Sequence, residues 1–116
     1  MPSERPLKRL QDIVENCNRV LQYTDGLTAQ TYATNVMAID AVERCLQRIS
    51  EAAMKLGGYL DTTYPDVPWK KMRAMGNVLR HRYEEVMAEI TWRTATVEVP
   101  RFRASALLEI ERLSRS

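Results

Sequence analysis

His81 is the single histidine of the chain, and it falls in the run WKKMRAMGNVLRHRYEEV, between Trp69 and Val86. Lys70, Lys71, Arg73, Arg80 and Arg82 crowd between Trp69 and Tyr83 with no acid among them. The whole chain carries a formal charge of only +2, so this basicity is local and asks for a local cause. If the run is helical, residues four apart stack on nearly the same face. Arg73, Asn77 and His81 then form one polar stripe, extended by Glu84 and Glu85. An arginine can grip phosphate oxygens, an amide can orient a hydrogen bond, and an imidazole that titrates near neutrality can move protons. A plainer role fits the same residues: a charge run is commonly a solvated face, and a lone histidine is more often a surface or core residue than a catalyst.

The elements that must hold this stripe read as helices. Pro6 suits a first turn, with Ser3 or Arg5 at the cap, and Leu7, Leu10, Ile13, Val14, Cys17 and Leu21 recur at three- and four-residue steps. Asp25-Gly26 stops that helix. Thr28 can cap a second, whose apolar positions Tyr32, Val36, Ile39, Val42, Leu46, Ile49, Ala53 and Leu56 keep the helical period up to Gly57-Gly58. Tyr59 to Pro68, carrying Pro65, reads as a loop laid across the bundle. Pro68 then opens the central helix, with Trp69, Met72, Met75, Leu79, Tyr83 and Val86 as its apolar stripe. A segment from Ala88 to Thr96 is weaker, because threonine and valine accumulate at its end, and Pro100 opens a last helix faced by Phe102, Leu107, Leu108, Ile110 and Leu113. No strand-like alternation of useful length appears. The pattern favours an all-α fold, an antiparallel bundle of four or five helices in a single domain over 1–116.

Composition narrows the function classes. Hydrophobic residues make up 45% and charged residues 28% of 116 positions, values of an ordinary globular domain with a modest core. No apolar run approaches the roughly 20 residues that span a bilayer, and the charged start MPSERPLKRLQDIV lacks the apolar centre of a signal peptide. A cytoplasmic location is expected. Cys17 and Cys45 lie in amphipathic segments without a second pair, which suggests buried free thiols rather than a disulfide framework or a zinc site. A lone histidine without carboxylates at metal spacing is poor coordination. Neither a metal nor a cofactor is expected.

The run from Asn77 to Tyr83, NVLRHRY, follows a Pro-Trp helix start and precedes a tryptophan-bearing segment and a last helix. In this arrangement, over nearly the whole chain, the sequence resembles the HepT-like members of the HEPN superfamily. That family's motif is an arginine, four to six residues, a histidine, one residue and a tyrosine. The resemblance implies a homodimeric, all-helical ribonuclease toxin paired with a small nucleotidyltransferase antitoxin called MNT, which adenylylates the motif tyrosine. His81 and Tyr83 match the histidine and tyrosine, and Asn77 matches the asparagine that commonly follows the motif arginine. The arginine itself has no match, since four, five or six residues before His81 stand Gly76, Met75 and Ala74. Arg73 and Arg80 are the nearest substitutes. Arg73 shares the stripe with His81, whereas Arg80 is turned from it by about 100° on an ideal helix.

On the terms of that resemblance, metal-independent RNA cleavage needs a base for the 2′-hydroxyl, positive charge for the phosphate oxygens and an acid for the 5′-oxygen. One chain offers one histidine, and a two-fold dimer would bring two to one cleft. His81, Arg73, Asn77 and Arg80 are then the candidate catalytic residues, Tyr83 the modified residue, and Lys70, Lys71 and Arg82 the residues that draw in the RNA backbone. The alternative is a non-catalytic helical subunit that binds a minimal nucleotidyltransferase through the same surfaces.

Overall fold

The structure is a computed structural model that describes residues 5–81 and 84–115, with backbone only at 84–86. Seven α-helices are formed by these residues: α1 (Pro6–Thr24), α2 (Ala29–Ala33), α3 (Val36–Leu56), α4 (Tyr59–Thr63), α5 (Trp69–Arg80), α6 (Glu84–Arg93) and α7 (Val99–Arg115). A π-helical turn, Thr94–Glu98, joins the last two. The described residues contain no strand. The fold is all-α, as the periodicity predicts.

Helix α1 packs between α3 and α7, and α3 packs on α5. The pairings run antiparallel: Arg103 donates to Asn18 across α7 and α1, and Ser50 meets Arg73 and Gly76 where α3 crosses α5. Trp69 and Phe102 close the ring of helices, with ring centroids 4.9 Å apart. The core between them is made by fully buried Leu10, Ile13, Leu46, Ile49, Met72 and Leu79. Cys17 and Cys45 are buried free thiols, and burial pushes the Cys17 thiol up to about 12. These are structural cysteines, not nucleophiles.

Helix boundaries differ from the sequence expectation at several places, each for a local reason. The second helix breaks at Thr34-Asn35. Asn35 caps α3 by accepting the Ala38 N–H at 3.0 Å, and asparagine is among the best residues at that position. Val36 and Met37 are thereby set on the first turn of α3, 68% and 82% exposed, rather than on an apolar stripe. The loop after Gly57, whose φ of 75° ends α3, contains the short helix α4. Pro100 does not open a helix, because the helical path already runs through it. Its ring would collide with the carbonyl four residues earlier in a regular helix, and the π-turn, where the Val99 N–H reaches back to the Thr94 carbonyl, widens the helix just there. On α7 the buried side is Val99, Phe102, Ser105, Ala106 and Glu109. Leu107 and Leu108, expected in the core, are exposed.

Glu109 is the unexpected core residue. Its side chain is fully buried, paired with Arg112 at 2.5 Å and accepting from the Tyr64 hydroxyl at 3.2 Å. The Arg112 hydrogen bonds hold its carboxyl below the usual range against the opposing effect of burial. A carboxylate whose folded pKa is depressed contributes stability above its unfolded value, and that contribution disappears as pH falls through the folded value. We expect Glu109→Ala to lower stability by about 2 kcal/mol at neutral pH. Urea titrations from neutral pH down to below about pH 4 should show the wild type losing this increment while Glu109→Ala loses less.

Candidate functional site

Trp69, fully buried against Phe102, anchors the start of α5, and Met72, Met75 and Leu79 turn the same face into the core. The opposite face carries the polar residues singled out above. Asn77, Arg80 and His81 are all exposed. The helix ends at Arg80. His81 is its C-cap, with φ −110° and ψ 37°, and its N–H reaches the Val78 carbonyl at 3.3 Å. The stripe therefore does not continue helically into Glu84 and Glu85, whose backbone belongs to α6 and whose side chains, with all of Arg82 and Tyr83, lie outside the described residues.

Arg73 is not free to face a substrate. Its guanidinium makes a two-pronged contact with Asp61 of α4, at 2.8 and 2.7 Å, and also donates to the Gly57 carbonyl at 3.3 Å. Those hydrogen bonds hold the Asp61 carboxyl below its ordinary value, outweighing desolvation. Arg73 thus ties α4 and the end of α3 to α5. Asp61 lies in the segment read as a loop, and no spacing rule links it to Arg73. Arg80, two helical turns further on and adjacent to His81, is the described arginine at the histidine end of α5.

Gly76 has a packing role. The Ser50 hydroxyl donates to the Arg73 carbonyl and accepts the Gly76 N–H, both at 3.1 Å. A Cβ at position 76 would come within 3.3 Å of the Ser50 Oγ, so the glycine lets α3 and α5 approach closely. Beside this contact a groove of about 430 Å³ opens between the helices, lined by Arg44, Gln47, Glu51 and Met54 of α3 and by Gly76 and Arg80 of α5.

Of the other basic residues, Lys71 is bound to buried Glu98 of the π-turn at 2.5 Å, which fastens α5 to the last helical rod. Lys70 is exposed and adds its charge near Asp61. Among the described residues no group of three or more His, Cys, Asp or Glu side chains could hold a metal ion, and no helix is long and apolar enough to cross a membrane. The arrangement offers an imidazole and a guanidinium on adjacent residues, both exposed, with Arg80 also lining the groove. Such a pair can contact a phosphodiester and exchange a proton with it.

The family described as "Ribonuclease HepT-like" matches residues 13–107. The chain is similar to "Putative RNase MJ1380" of Methanocaldococcus jannaschii, 31% identical over 102 residues that cover 87% of this chain and 94% of the relative. It is also similar to "Putative RNase MJ0127" of the same organism, 32% identical over 86% of this chain and 83% of the relative. A third relative, "Probable ribonuclease HepT" of Thermococcus cleftensis, is 26% identical over 78% of this chain and 83% of its own length. No solved structure matches the chain.

If Arg73 and Asp61 act as a structural pair, Arg73→Ala and Asp61→Ala should each lower stability by about 1 kcal/mol, a figure reduced for the solvent that reaches Asp61. The double variant should lose no more than Arg73→Ala alone, which also removes the hydrogen bond to the Gly57 carbonyl. A urea double-mutant cycle reads this directly, and fully additive losses would mean that the contact contributes nothing.

Proposed function

Because the chain belongs to the HepT-like ribonuclease family, we propose that it is the toxin of a toxin–antitoxin pair of the HepT and MNT kind, an endoribonuclease that cuts RNA without metal in a cleft between two copies of the chain. The observation that carries this reading is the exposure of His81 one residue beyond α5, next in sequence to Arg80, which lines the α3–α5 groove.

In the reaction we propose, His81 accepts the 2′-hydroxyl proton as the 2′-oxygen attacks phosphorus. The bond from phosphorus to the 5′-oxygen breaks, and that oxygen leaves with a proton from His81 of the partner subunit. The products are a 2′,3′-cyclic phosphate and a 5′-hydroxyl. Arg80 offsets the charge that builds on the non-bridging oxygens, and Asn77, one turn earlier, orients the phosphate by hydrogen bond. Arg73 acts through structure, because its donors are engaged by Asp61 and Gly57. Two copies are required because acid and base are separate tasks and each chain has one imidazole. Tyr83 follows His81 by two residues in the sequence, so an adenylyl group transferred to its hydroxyl from ATP by the antitoxin, with release of pyrophosphate, would add a phosphate and a base two residues from the proposed base and hinder RNA.

A second reading has a specific observation in its favour. With Gly76 packed on Ser50 and Arg73 held by Asp61, the family's motif arginine has no counterpart at its own position, as in a non-catalytic partner subunit of the nucleotidyltransferase.

Cleavage of bulk tRNA and mRNA in EDTA, by protein shown by mass to be unmodified at Tyr83, separates the two. We expect cutting by the wild type, a loss of about a hundredfold or more in His81→Ala, and a comparable loss in Arg80→Ala. Arg73→Ala should lose activity only in step with its loss of stability. Wild type that leaves RNA intact, or His81→Ala that cuts it as well as the wild type, would reject the ribonuclease assignment.

A further inference from the structure

The exposed ridge of α3 has a groove on each side. Toward α5 lies the one that ends at Arg80. Toward α1 lies a second, of about 300 Å³, walled by Arg9, Arg19, Arg48 and Lys55 and floored by Asn16. Glu51 lines both, so the two form one surface across the ridge.

Its charge is unbalanced. The acids on it are engaged along their own helices, Asp12 by Lys8 at 2.8 Å, Glu15 by Arg19 at 2.9 Å and Glu51 by Lys55 at 3.2 Å. Six cations line the grooves against these three acids, counting Arg44 and Arg80 on the α5 side. Burial raises the Cys45 thiol pKa, and Arg48, Arg19 and Arg44 each oppose that rise through their positive charge. Arg19 already has Glu15 as its counter-charge, whereas Arg44 and Arg48 add positive charge to the surface that an anion would offset.

A second feature points to what the anion belongs to. Asn16 is only 5% exposed; its amide nitrogen donates to the Asp12 carbonyl at 2.9 Å, while its Oδ1 is buried without a hydrogen-bond partner. The Arg9 Nε is a buried donor in the same position. Both residues line the α1–α3 groove. A buried acceptor and a buried donor without partners carry a desolvation cost that a ligand able to supply both would relieve. A ribose 2′-hydroxyl is donor and acceptor at once, and it sits beside phosphate in RNA.

We propose that the grooves flanking α3 hold the sugar–phosphate backbone of the RNA on its way to His81, with Arg44 and Arg48 as phosphate contacts and Asn16 facing a ribose. The choice of ligand rests on the ribonuclease reading. The surface extends that site from the end of α5 across α3 to α1.

The test is binding of a labelled single-stranded RNA oligomer by fluorescence anisotropy over a salt series, in a His81→Ala background that leaves the RNA intact. Arg44→Ala combined with Arg48→Ala should weaken binding about tenfold and make the slope of log affinity against log salt shallower by about 1.4, near 0.7 for each phosphate contact on a single strand. Arg44→Lys with Arg48→Lys should restore most of that slope. Arg101→Ala with Arg115→Ala, exposed on α7, should change neither quantity. An unchanged affinity and slope in the alanine pair overturns the proposal, as does an equal loss in the α7 pair, or a loss of antitoxin binding in place of RNA binding. No RNA binding by either wild type or His81→Ala also overturns it. If the wild type cuts RNA while the alanine pair binds it normally, the groove fails and the ribonuclease reading stands. If the alanine pair loses RNA binding in a protein whose wild type never cuts, the groove stands and the ribonuclease reading fails.

Discussion

The contact between Ser50 and Gly76 governs how α5 sits on α3. One hydroxyl both donates to the Arg73 carbonyl and accepts the Gly76 N–H, which fixes the rotation of α5 as well as its distance from α3. With that rotation set, Met72, Met75 and Leu79 enter the core, Arg73 turns to α4, and Arg80 borders the groove. Close-packed helices transmit such constraints because they have few voids to absorb a shift. A larger side chain at 76 would push against Ser50 first, and everything on that face of α5 would have to follow.

Ion pairing sorts the basic residues that look alike in sequence. Arg73 binds Asp61, Lys71 binds buried Glu98, and Arg112 binds buried Glu109. Each of these joins segments or neutralises a buried carboxylate, and a buried carboxylate without its cation would be strongly unfavourable. Arg44, Arg48 and Arg80 instead border open grooves. The formal charge of +2 conceals this division between cations that hold the fold and cations that face solvent.

Helix type and much of the core were legible because an apolar side chain every third or fourth residue is a direct consequence of helical geometry. Thr28 as a cap, Gly57 as a stop and Trp69 as the anchor of α5 all follow from local rules, and the structure has them. The misread boundaries came from trusting period over punctuation: Asn35 is a cap signal that lay inside an apolar repeat. Pro100 looks like a helix start in the sequence because a π-turn, which lets a helix carry a proline, has no period of its own. On α5, Asn77, Arg80 and His81 stand out in the sequence by residue type, and the structure leaves all three exposed. The engagement of Arg73 by Asp61 is not legible there, since a pair twelve residues apart on two different helices obeys no spacing rule.

The same limit applies to the choice between Arg73 and Arg80. On a continuous helix, adjacent residues diverge by about 100°, which sets Arg80 apart from His81 and favours Arg73 in the same stripe. That reasoning requires His81 to be helical. Its backbone at φ −110° and ψ 37° has left the helix, so the fixed angle between neighbours no longer holds, while the fork on Asp61 removes Arg73 from competition. A motif arginine is needed for where its guanidinium can reach, not for its count of residues from the histidine. With α3 close at Gly76, the described arginine at the histidine end of α5 is Arg80, and it is the one that the proposed reaction uses.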